Sequence, residues 1–161
     1  MTATAHALIG ASLATKIPNP LIGIPAAILS HFVVDLIPHW DTSTDHKQKT
    51  RTRLIIEAVF DVLLGFALIF LFFRNSVNLP YLFVMVLAAQ SPDWLKAPSD
   101  MFGFNIPPFS WFDSLGHKLQ WRMKLPWGLV TQIAVVGLIL FATVDILGVS
   151  KSLLASLPSF I

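Results

Sequence analysis

The chain has 161 residues, of which 55% are hydrophobic and only 12% charged, and its mean hydropathy is +0.70. Soluble domains carry roughly 25% charged residues, so the charge here is about half of what a water-facing surface uses. Intrinsic disorder, a coiled coil and an ordinary cytosolic domain are excluded, and an all-α integral membrane protein is predicted, with residues 1–161 as one domain.

Without cysteine there is no disulfide framework, no thiolate nucleophile and no sulfur-ligated zinc or iron–sulfur site. The net charge is +2 and the isoelectric point about 9.2, but the basic residues adjoin apolar segments, where they act as topology signals rather than as a nucleic-acid surface. No basic residue precedes the first apolar stretch after Met1, so a cleaved signal peptide is not expected.

Proline marks most of the element boundaries. Thr2 or Thr4 caps a short first helix that runs to about residue 15, where Lys16-Ile17-Pro18-Asn19-Pro20 ends it. A second apolar run, 21–37, is interrupted by Pro25 and carries His31 and Asp35. The polar stretch 39–53 follows. Residues 54–73 form a 20-residue run broken by Glu57 and Asp61, about the length a bilayer requires. After a turn at Arg74-Asn75-Ser76, residues 79–89 continue apolar and end at Gln90-Ser91-Pro92-Asp93-Trp94.

In 110–124, Ser110 and Asp113 form a capping-box-like start; Trp111, Leu115 and Leu119 share one face, and Asp113, His117 and Lys124 another. With its flanking aromatics this segment reads as an amphipathic helix in the membrane interface. The last span is 127–149. The expected fold is therefore an integral membrane bundle of about five helices plus that interfacial helix.

If the helices alternate in direction, eight basic residues (Lys47, Lys49, Arg51, Arg53, Lys96, Lys118, Arg122 and Lys124) lie on one side and three (Lys16, Arg74 and Lys151) on the other. That bias puts the N-terminus and both long loops in the cytoplasm.

Ionisable groups inside a bilayer are costly, and function is their default reading. His6, His31, Asp35, His39, Glu57, Asp61, Asp93 and His117 all fall towards that one side. Glu57 and Asp61 lie ~6 and ~12 Å beyond Arg53 at ~1.5 Å rise per residue. His31-x-x-x-Asp35 stacks an imidazole and a carboxylate one turn apart, and His39 follows four residues later. Neutral imidazole with carboxylate suits zinc, manganese or iron. Glu57-x-x-x-Asp61 repeats the spacing with two acids, which need a cation between them or are held by the helix dipole and by Arg51 or Arg53. Asp45 and His46 read as solvated, and Asp145, near Lys151, as interfacial.

His31-Phe-Val-Val-Asp35-Leu-Ile-Pro38-His39-Trp-Asp41 resembles the His-x-x-x-Asp…Pro-His pattern of zinc-dependent phospholipases C. An early His6, followed by Pro92-Asp93 at the end of a hydrophobic helix, is similar to the small membrane-bound metal-dependent hydrolase family. The resemblance implies an inner-membrane protein of four or five helices, with His6, His31, Asp35, His39, Asp93 and further along His117 as ligands. The chain lacks that family's His-Arg-Gly-x-Thr-His segment and the later His-x-x-x-Glu or His-x-x-x-Asp pair of the phospholipases.

The expected function is a metal-dependent hydrolase, with zinc as the first choice of metal, working at the cytoplasmic membrane surface on a phospholipid or other lipid-linked phosphoester. His6, His31 and Asp35 hold the metal, and Asp93 or His39 completes the shell. Asp41 or Glu57 serves as general base, and His117 donates to the leaving group. The basic residues attract anionic head groups. The alternative is a non-enzymatic protein whose polar cluster binds a metal or pins helices together. A transporter fits less well, because few polar groups continue across the spans.

Overall fold

The computed structural model describes residues 1–44 and 48–143. Asp45, His46 and Lys47, together with the expected end of the last span, Asp145 and Lys151, lie outside the described residues. Among the described residues six helices follow one another: α1 (Ala3–Lys16), α2 (Pro20–Asp35), α3 (Arg51–Phe73), α4 (Leu79–Phe102), α5 (Phe109–Leu119) and α6 (Trp127–Thr143). No strand is present among the described residues beyond an isolated parallel bridge between His39 and Arg122.

Thr2 caps α1, accepting from the Ala5 N–H, and the chain leaves the helix before Pro18. Asn19 caps α2 with a proline in its first turn, Thr50 caps α3 and Asn78 caps α4. These are the short polar side chains that satisfy orphan N–H groups at helix starts. Two boundaries differ from expectation. α4 runs through Pro92 to Phe102 instead of ending near Trp94. The Ala88 carbonyl, deprived of its partner by Pro92, accepts instead from Ser91 Oγ at 2.8 Å. α5 starts at Phe109, after Pro108, with no side-chain cap. Ser110 and Asp113 form no capping box; Asp113 accepts from Ser99 Oγ at 3.3 Å.

α1 is the centre of the bundle, packed against α2, α3, α4 and α6. Its small residues make this possible: Ala5, Ala7, Gly10, Ala11, Ser12 and Ala14 are all buried. A Cβ on Gly10 would sit 2.8 Å from both the Met85 carbonyl oxygen and Ala89 Cβ, so only glycine permits so close a crossing of α1 and α4. At 14 residues, α1 is about 21 Å long.

The surrounding helices invert the usual soluble pattern. Their outward residues are large and apolar, with Leu21, Phe60, Leu63, Leu138 and Phe141 each more than half exposed. The buried set includes His6, Ser12, His31, Asp35, His39, Gln90 and Gln132. α3, with 23 residues and an 18-residue stretch of mean hydropathy 2.5, is the one helix among the described residues long and apolar enough to cross a membrane, and little of that stretch is covered by the rest of the chain. α2 and α6 are apolar but shorter.

Candidate metal centre

The first turn of α1 is gripped by side chains from three other helices. Asp61 on α3 accepts from the Ala3 and Thr4 N–H groups at 2.6 and 3.1 Å. Gln90 on α4 donates to the Ala3 carbonyl at 2.9 Å. Gln132 on α6 accepts from the Thr2 N–H at 3.2 Å and donates to Thr2 Oγ1 at 2.9 Å. Asp61 thus supplies both the acceptors and the negative charge that a helix N-terminus favours. The collar fixes the start of the helix that carries His6.

Beside it, His6 from α1, His31 and Asp35 from α2, His39 from the following loop and Asp93 from α4 come together. One ligand atom each from His6, His31 and Asp93 lies within 4.8 Å of the others. The His6 and His31 rings stack with centroids 3.9 Å apart. Asp35 sits among the imidazoles: Oδ1 is 3.4 Å from His6 Nε2 and 3.7 Å from His39 Nε2, and Oδ2 is 3.4 Å from His31 Nε2. Asp93 lies 3.7 Å from His31 Nε2 and 4.0 Å from His6 Nε2. The amino group of Met1 also meets Asp35 Oδ1.

The hydrogen-bond pattern tests whether these residues suit a cation. His31 Nδ1 lies 2.9 Å from the Ala89 carbonyl, and His39 Nδ1 lies 2.8 Å from that of Ile37. A carbonyl only accepts, so both Nδ1 atoms carry the proton, and in the neutral ring each Nε2 presents a lone pair. Those lone pairs face carboxylate oxygens, which are acceptors too. His6 is buried with neither nitrogen hydrogen-bonded, and His39 Nε2 has no hydrogen-bond partner either. Burial pushes the His39 imidazole below its ordinary pKa, with the Met1 amino group acting in the same direction against the pull of Asp35. The Met1 amino group already meets Asp35, but the buried nitrogens of His6 and His39 that lack a partner fit a cation shared with the carboxylates. Nδ1–H held by a carbonyl is the arrangement that frees Nε2 for a metal.

The outer contacts come from residues that sequence reasoning did not assign. Gln120 donates to Asp35 Oδ2 at 3.0 Å, and Lys96 donates to Asp93 Oδ1 at 2.9 Å. The segment after α5 runs beside the end of α2: Trp121 N–H donates to the Asp35 carbonyl, His39 N–H to that of Trp121, and Met123 N–H to that of His39, at 3.1, 3.0 and 2.7 Å. Arg122 Nε on the same segment donates to Asp41 Oδ2 at 3.2 Å.

The remaining expected site residues are directed elsewhere. Asp41 accepts from Ser43, Thr44 and Arg122. Burial pushes its carboxyl pKa up, but the Arg122 guanidinium, aided by Met1, Lys96 and the Thr44 hydroxyl, outweighs this and holds it below the usual carboxylate range. Glu57 pairs with Lys49 at 2.6 Å and Arg53 at 2.7 Å and does not join the cluster. Of the two readings left open for Glu57 and Asp61, a shared cation is not what is seen: Glu57 takes the alternative pairing with Arg53, joined by Lys49, and Asp61 caps α1. His117, half exposed, faces Asp113 at 3.3 Å on its own helix. Comparison with family profiles, curated proteins and solved structures finds no match.

Proposed function

We propose that this chain is a membrane-embedded, metal-dependent hydrolase of lipid-linked phosphoesters, resembling the small membrane-bound metal-dependent hydrolases, with zinc as its metal and its site towards the cytoplasmic face. The observation that carries the reading is the group of His6, His31 and Asp93, in which the His31 Nε2 lone pair faces the Asp93 carboxylate and both His6 nitrogens are buried without a hydrogen bond. The exposed apolar girdle around buried polar residues supports a bilayer setting for a bundle of about five helices.

His6, His31 and Asp93 bind the ion, and Asp35 and His39 complete or orient its shell. When bound, a divalent ion supplies Lewis-acid polarisation of a phosphoryl oxygen and acidifies a water. Asp35 holds the imidazoles in register from the centre of the cluster. Lys96, beside Asp93, offers a cationic donor to a phosphate that approaches the site. Asp41 fixes Arg122 at the same end.

The test is hydrolysis of a phosphodiester, first a chromogenic one and then phosphatidylglycerol, by detergent-purified protein. Turnover abolished by chelation, restored by zinc and lost in Asp93→Asn supports the proposal. Turnover that survives both chelation and Asp93→Asn, or none in zinc-loaded wild type, overturns it. In the latter case His31, which ties α2 to the Ala89 carbonyl of α4, keeps the helix-packing role of the alternative reading.

A further inference from the structure

α3 packs chiefly on α1 and leaves a groove on each side of itself. The groove between α3 and α4 has a volume of about 390 Å³. Its apolar α3 wall is Ile55, Ala58, Val59, Val62 and Leu63, one face of the helix at i, i+3, i+4, i+7, i+8 spacing, and Trp94 and Ala97 face it from α4. Met1 and Ala3 also line it. Its polar lining includes Asp41, Asp61, Gln90, Asp93 and Lys96, and two of the three carboxylates are already engaged elsewhere, Asp41 by Arg122 and Asp61 by the N–H groups of α1. Within the metal group, His6 and His31 side chains are 1% and 4% exposed, whereas Asp93 is 27% exposed. Asp93 is therefore where the buried site opens, and it opens into this groove.

The shape selects the occupant. From Ile55 to Leu63 the apolar wall runs ~12 Å. The volume falls in the small-ligand range of roughly 300–1,000 Å³. The wall lies on the one helix among the described residues with the length and hydropathy of a membrane span, so an occupant reaching it from the side comes from the acyl layer. One end of that occupant is apolar, and the other meets Lys96 and a site suited to a cation. The second groove, between α3 and α6, has a volume of about 550 Å³ and is lined by Phe60, Leu64, Ile133 and Leu140, but touches none of His6, His31 or Asp93.

We infer that the α3–α4 groove seats one acyl chain of an anionic membrane phospholipid and so delivers its phosphate to Asp93 and Lys96. The catalytic purpose of this subsite rests on the hydrolase reading; the groove itself does not. The test is native mass spectrometry of the full-length protein titrated with phosphatidylglycerol, in chelator-treated and zinc-loaded forms, with zinc content measured in parallel.

One phosphatidylglycerol should be retained per chain after the looser lipids are stripped. Ala97→Phe, which fills the groove, should lower that retention by about tenfold or more, the equivalent of one decade in Kd. Leu64→Phe, in the α3–α6 groove, should leave it within about twofold. If Ala97→Phe does not fold, Ala58→Phe fills the groove from the opposite wall. Equal retention in the filled variants, or equal loss in Leu64→Phe, overturns the inference. Lipid retained and lost on filling, in a protein that binds no zinc, upholds the groove and removes the hydrolase reading. Zinc bound with no retained lipid removes the groove and leaves the metal site.

Discussion

His31-x-x-x-Asp35 and Glu57-x-x-x-Asp61 share one spacing, both lie in apolar helices, and both approach the same end of the bundle. Their surroundings separate them. Around Asp35, three imidazoles come within 3.7 Å and at least two of them turn lone pairs, not protons, towards it. Asp35 is met by the Met1 amino group and Gln120, yet imidazole nitrogens beside it are buried without a partner. Glu57 and Asp61 are matched by Lys49 and Arg53 for one and two backbone N–H groups of α1 for the other, with no such nitrogen beside either among the described residues. Spacing places two side chains on one helix face, but the partner opposite decides whether a carboxylate is a structural anion or part of a cation site.

Four outcomes would sharpen or break that contrast. Asp35→Asn should have the largest effect: retained metal falls to background, and stability drops by about 3 kcal/mol because buried partners are left uncompensated. In a thermal melt that is a fall of ~6–12 °C. Next, saturating zinc should protect wild type by ~2.7 kcal/mol at about a hundredfold over Kd, and should give Asp93→Asn no such shift in the same melt. Asp61→Ala removes a cap contributed by another helix and should cost ~1–2 kcal/mol, with metal stoichiometry by mass spectrometry unchanged. Glu57→Gln should cost less than ~1 kcal/mol, as a partly exposed ion pair does, and leave phosphodiester turnover at the wild-type rate. A large loss of metal in Asp61→Ala or of turnover in Glu57→Gln would erase the distinction between the two regions.

Much of the helical layout was legible because proline and short polar caps punctuate it. Thr2, Pro18 and Pro20 bound the first two helices as read. The end of α4 was not legible, since a proline reads as a stop unless a neighbour such as Ser91 takes up the freed carbonyl. The approach of His6, His31, His39 and Asp93 followed from the cost of burying ionisable groups together at one depth. The roles of Asp61, Gln90 and Gln132 were hidden because they depend on where the first turn of α1 lies, and α1 is too short and too small in its side chains to announce a central position. Gln120 and Arg122 escaped because their partners, Asp35 and Asp41, are distant in sequence; Lys96 escaped although Asp93 is three residues away, because a Lys or Arg beside an apolar run reads first as a topology signal.

The central claim is that His6, His31 and Asp93 form a cation site while Glu57 and Asp61 do not. Metal content of the purified protein by mass spectrometry tests it most directly, with wild type measured beside His31→Ala, Asp93→Asn and Glu57→Gln after identical zinc loading and desalting. Bound zinc at a fixed stoichiometry in wild type and Glu57→Gln, and background in the other two, is the predicted result. Background zinc in wild type, or equal zinc in all four proteins, would contradict it.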